Sequence, residues 1–135
     1  MWALTLLLVG VNEELVSRVV ILRTLAGPFS SAWAVVFTAV LFGLQHLSQF
    51  AVTDRPAEEI LWNVLLSAVA GFAYAAFQLR FSWLWPLILC HTAHDFTRIM
   101  AGQEAPDSWY AVVHVLLLAF GVLLLMDARR TDRLP

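Results

Sequence analysis

Apolar residues along this chain fall into five stretches of about membrane length, separated by short polar breaks. About 20 apolar residues in a helix cross the roughly 30 Å hydrocarbon core of a bilayer. On that template the sequence predicts helices at about 2–26, 31–50, 58–80, 83–100 and 108–127. AGPFSS, TDRPAEE and AGQEAPDS punctuate three of the joins, and LRFSW makes a tight turn between the third helix and the fourth. Trp2, Trp33, Trp62, Trp83 and Trp109 each stand near the start of one segment, with Trp85 close behind. Tryptophan favours the headgroup level, where its ring is buried and its N–H stays wet. The pattern therefore predicts an all-α fold, a polytopic transmembrane bundle of about five helices. Residues 1–127 form one bundle, and 128–135 a short basic tail.

Composition strengthens this expectation. The 135 residues are 61% hydrophobic and 13% charged, with mean hydropathy +0.77. A soluble domain is about a quarter charged, and so short a chain cannot hide that much apolar surface in a core. The net charge of -2 and the lack of a basic run give no support to a nucleic-acid partner. A single cysteine, Cys90, excludes an intrachain disulfide. No basic n-region precedes the first apolar run, so nothing reads as a cleavable signal. All eight basic residues are arginine, which fits a GC-rich bacterial genome. With the N-terminus on one side, the opposite side receives Arg23, Arg80, Arg129, Arg130 and Arg133, against Arg55 and Arg98 on the first. The positive-inside rule then places the C-terminus in the cytoplasm, and the expected location is a bacterial plasma membrane.

The polar residues inside these spans carry the candidate chemistry. An ionisable side chain at a helix centre costs roughly 2.5–3.5 kcal/mol on insertion scales. Glu13, Glu14 and Arg18 in VNEELVSRVV would together cost on the order of 8–10 kcal/mol unless paired, too much for a simple anchor. Glu14 and Arg18 are four apart, acid before base, and suit a structural ion pair. Glu13 is turned about 100° away from Glu14 and needs water or polar groups from another helix. An uncommitted carboxylate of this kind suits a general base. His46 in the second helix, and His91 and Asp95 one turn apart in the fourth, fall within a layer about 10 Å thick that includes Glu13. Phe42 shares a face with His46. Asn63 and His114 have no evident chemical partner and read as packing or interfacial residues.

EELVSR (13–18), FGLQH (42–46) and HTAHD (91–95) resemble, in order, the three signature motifs of the CAAX protease and bacteriocin-processing (Abi) family. That family includes the type II CAAX prenyl endopeptidases, and its motifs read E-E-x-x-x-R, F-x-x-x-H and H-x-x-x-N or D. The resemblance implies an intramembrane endopeptidase in which Glu13 and His46 activate water and His91 and Asp95 stabilise the oxyanion. Glu14 and Arg18 would orient that shell, with Phe42 as a supporting motif residue. Asp95 stands where the prenyl endopeptidases have asparagine. It must be protonated to face an oxyanion, or else hold His91 in one tautomer. Family members also usually carry several helices before the first motif, which here starts twelve residues from Met1, as in a minimal form or a shortened chain.

Other chemistries compete with this expectation. Glu13, Glu14, His46 and His91 are candidate zinc ligands, although no HExxH is present and Glu14 is drawn to Arg18. The sequence thus implies no cofactor, with zinc as the rival. Cys90 with His94 is a weaker nucleophile pair, and a buried free cysteine more often acts as a small hydrophobe. A non-catalytic immunity or scaffold protein of the same family is the alternative outside catalysis. A transporter finds little support, since no pair of broken helices is present. The expected partners are the lipid bilayer and a membrane-associated protein or peptide substrate.

Overall fold

A computed structural model of the chain describes residues 2–101 and 107–131. It is 92% helix, and the described residues contain no strand. Helix α1 runs as α-helix over Trp2–Glu14, as π-helix over Leu15–Ile21, and as α-helix again over Leu22–Ala26. Helix α2 is α-helical over Ser31–Leu44 and Gln49–Val52, with a 3₁₀ turn at Gln45–Ser48 between. Helices α3 (Ala57–Phe81), α4 (Leu84–Ala101) and α5 (Asp107–Thr131) are uninterrupted. The predicted break AGQEAPDS falls largely on 102–106, outside the described residues. The helix of α5 continues to Thr131, into the stretch expected to be a tail, and 132–135 lie outside the description.

The five expected helices are present, but two are not regular. The π segment opens directly after Glu14, and Leu22 N–H reaches back five residues to Ser17 O. Four of its seven residues, Val16, Val19, Val20 and Ile21, are β-branched and stiff at χ1, which weakens the local α preference. Single π turns are frequent at functional sites. The turn between α3 and α4 is made by Ser82 at φ 57°, whose N–H bonds Gln78 O at 2.9 Å. Pro56 caps α3, and Glu58 and Glu59 occupy its first turn, where they complement the helix dipole.

The bundle packs as a chain of neighbours, with α4 on α1, α1 on α2, α2 on α3 and α3 on α5. Arg80 Nε binds Asp127 Oδ2 at 2.6 Å and ties the end of α3 to α5. Among the described residues, three segments are long and apolar enough to cross a membrane: Ser31–Val52, Ala57–Phe81 and Trp109–Ala128. Helices α1 and α4 carry Glu13, Glu14, Arg18, His91 and Asp95 of the motifs, and α2 carries His46. All six tryptophans are exposed, as expected of side chains facing headgroups. Most large aliphatic side chains of α5 also point outward, although Leu124 and Leu125 pack inward, and the core includes the small residues Ala34, Ala39, Ala73, Ala75 and Ala76. Lipid tails are as apolar as leucine, so helices associate through close packing of small residues.

Gly43 marks the closest approach. A Cβ there would sit 2.6 Å from Val64 O and 2.8 Å from Ala68 Cβ, so α2 and α3 touch at backbone level. At Gly71 a Cβ would meet the Phe42 ring at 3.0 Å, and this contact seats Phe42. Gly43→Ala is expected to push the two helices apart and lower the unfolding free energy in detergent by about 1–3 kcal/mol. Gly27→Ala, where the nearest atom would be Thr24 O at 3.6 Å, is the control and should be near neutral.

Candidate active site

The charges of α1 separate by burial. Glu14 and Arg18 are each 0% exposed, and Arg18 Nε donates to Glu14 Oε2 at 2.8 Å. Arg18 Nη2 reaches Glu14 Oε1 at 3.5 Å. The guanidinium is covered by aromatic rings from two other helices, Phe42 at 4.7 Å and Tyr74 at 5.8 Å from Cζ. Weakly hydrated arginine tolerates such cover better than lysine would. Glu13, on the next helical position, keeps a side chain 27% exposed.

His91 joins α4 to this pair. Its Nδ1 lies 2.9 Å from Glu14 Oε1 and so donates to that carboxylate. Its Nε2 faces two further acids, Asp95 Oδ2 at 3.5 Å and Glu13 Oε2 at 3.7 Å. Three carboxylates therefore converge on a single imidazole, and one of them, Glu14, is also held by Arg18. The His91–Glu14 contact spans 77 residues of sequence and sets the register of α1 against α4. Gly10 permits the approach, since a Cβ there would fall 2.7 Å from Thr92 Oγ1, one residue after His91.

His46 sits on the 3₁₀ turn of α2. Its Nδ1 donates to Phe42 O at 3.0 Å, which leaves Nε2 as an acceptor. The Phe42 ring stands between the two histidines, 5.6 Å from His46 and 6.0 Å from His91, edge-on to both. His46 makes no direct bond to Glu13. The residue that does is its neighbour Gln45, whose Nε2 donates to Glu13 Oε2 at 3.1 Å. Glu13 Oε1 has no partner among the described residues.

Five motif side chains, Glu13, Glu14, Arg18, His91 and Asp95, thus come together through polar contacts, and Phe42 places His46 beside them. Gln45 and Tyr74 are additions. Gln45 stands next to His46 within FGLQH, and Tyr74 carried no signal beyond its place in an apolar helix. Cys90, expected to be buried, is exposed on α4. His114 bonds the Tyr110 carbonyl of its own helix at 2.8 Å. Among the described residues, no three His, Cys, Asp or Glu side chains are arranged to hold a metal ion.

A helical bundle with an acid–histidine cluster enclosed between apolar helices defines a polytopic membrane protein with a candidate hydrolytic centre. Residues 1–97 match the profile of the family described as type II CAAX prenyl endopeptidase Rce1-like, and the chain belongs to that family. No curated protein and no solved structure matches the chain. Together with the three apolar spans, membership makes this an integral membrane protein of a CAAX-type protease family.

Removing one partner of a fully buried ion pair leaves the other uncompensated. Arg18→Ala should therefore lower the unfolding free energy by about 3–5 kcal/mol in detergent micelles. The double variant Arg18→Ala with Glu14→Ala should recover part of that loss. Full additivity of the two changes would contradict the pairing.

Proposed function

We propose that the protein is an intramembrane endopeptidase that hydrolyses a peptide bond in a membrane-associated protein or peptide. The observation that carries this reading is the contrast between two consecutive glutamates. Glu14 has both oxygens engaged by Arg18 and His91, whereas Glu13 keeps Oε1 open at the edge of the cluster. A carboxylate held on one oxygen and open on the other is oriented to take a proton.

In this reading a water bound between Glu13 Oε1 and His46 Nε2 gives its proton to Glu13 as its oxygen attacks the scissile carbonyl carbon. His91, held by Glu14 and facing the same space through Nε2, stabilises the oxyanion of the tetrahedral intermediate. The intermediate collapses with cleavage of the C–N bond, and Glu13 returns the proton to the leaving amine. An ionised aspartate repels an oxyanion, so Asp95, 3.5 Å from His91 Nε2, serves by holding that ring. Glu14 and Arg18 act through His91. Phe42 fixes the spacing of the two histidines.

The arginine bias of the loops supports a cytoplasmic C-terminus, and arginine-only usage supports a bacterial plasma membrane. A prenylated substrate is less compatible with that setting than a membrane-anchored peptide.

The test is cleavage of a panel of membrane-anchored peptides by purified protein in liposomes. Glu13→Gln and His46→Ala are each expected to lower kcat by roughly 10²–10⁴. A chelator should leave the wild-type rate unchanged. Loss of activity with chelator and its return with zinc would establish a metalloprotease instead. Equal activity of wild type and Glu13→Gln would overturn the reading.

A further inference from the structure

Two buried polar atoms on neighbouring helices have no partner among the described residues. Arg18 Nη1 on α1 is a donor, and Gln78 Oε1 on α3 is an acceptor. The residues carrying them are 0% and 5% exposed. Both line one cavity of about 110 Å³ between the two helices. Leu22 and Leu79 supply apolar wall, and exposed Arg23 and Ser82 lie toward the ends of α1 and α3.

Buried donors and acceptors are almost always satisfied by protein or ordered water. The cavity is large enough to admit water. The geometry of Arg18 shows what such a bridge would do. Nε and Nη2 are engaged by Glu14, and Cζ lies over the rings of Phe42 and Tyr74. Nη1 is the one edge of the planar fork left to fix. The Gln78 backbone is fixed at the end of α3, where its main-chain carbonyl accepts the Ser82 N–H.

We propose that water in this cavity links Gln78 Oε1 to Arg18 Nη1 and makes Gln78 a positioning residue. It holds the guanidinium, which orients Glu14, which in turn orients His91. The catalytic consequence rests on the peptidase reading above, whereas the link between Gln78 and Arg18 does not.

Two arms separate these claims. In protein labelled with ¹⁵N-arginine, with Arg18 assigned from Arg18→Lys, the Arg18 Nη1 protons should show a distinct resonance with a cross-peak to water. That signal should average out in Gln78→Leu and persist in Gln78→Glu, which keeps an acceptor oxygen. In the cleavage assay Gln78→Leu should lose about tenfold in kcat, the worth of one hydrogen bond, with KM little changed. Gln78→Glu should retain most of the wild-type rate. If Gln78→Leu does not fold, Gln78→Met replaces it. An unchanged Nη1 signal in the apolar variant overturns the proposal whether or not the protein cleaves peptides. Equal kcat losses in the leucine and glutamate variants also overturn it. An inactive wild type refutes the peptidase reading and leaves the resonance to decide the link.

Discussion

The buried Glu14–Arg18 pair is the interaction on which the rest of the structure depends. Two charges with no exposed surface gain little net stability, because desolvation offsets most of their attraction. What the pair supplies is placement. Arg18 Cζ lies over the rings of Phe42 of α2 and Tyr74 of α3. Glu14 draws His91 of α4 onto its second oxygen. Four of the five helices are therefore keyed to one ion pair in a bundle whose apolar side chains mostly face outward. In lipid, apolar surface provides no drive for helices to associate, so polar contacts and close packing must set their register.

The same pair divides labour between neighbouring acids. A helix turns about 100° per residue, so Glu13 and Glu14 cannot face one partner. Glu14 takes the buried direction and Glu13 the edge, where Gln45 holds one of its oxygens. The irregular windings fall at these places. The π segment follows Glu14, and the 3₁₀ turn begins at Gln45 and carries His46. Small residues complete the arrangement, since Gly71 seats the Phe42 ring that separates the two histidines.

Much of this was legible in the sequence because each signal is local. Membrane-length apolar runs, a tryptophan near each start, and Pro or Gly at the breaks delimited the helices to within a few residues. Pairs four apart brought Glu14 to Arg18 and His91 to Asp95 by helical geometry alone. The π and 3₁₀ windings were not legible, because β-branched residues weaken an α-helix without specifying which other winding replaces it. Nor was the contact of His91 with Glu14, which depends on how α1 packs against α4. Gln45 and Gln78 are amides without charge, so no burial penalty flagged them. Their positions became informative only once their neighbours were placed.

The central claim is that Glu14 is structural and Glu13 is free to react. It is tested most directly by the unfolding free energies of Glu13→Gln and Glu14→Gln, measured in the same detergent. Glu13→Gln should change stability by no more than about 0.5 kcal/mol, as at a partly exposed position. Glu14→Gln should lose about 3 kcal/mol or more, since Arg18 is left buried and uncompensated. Similar losses in the two variants, or a larger loss at Glu13, would contradict the account.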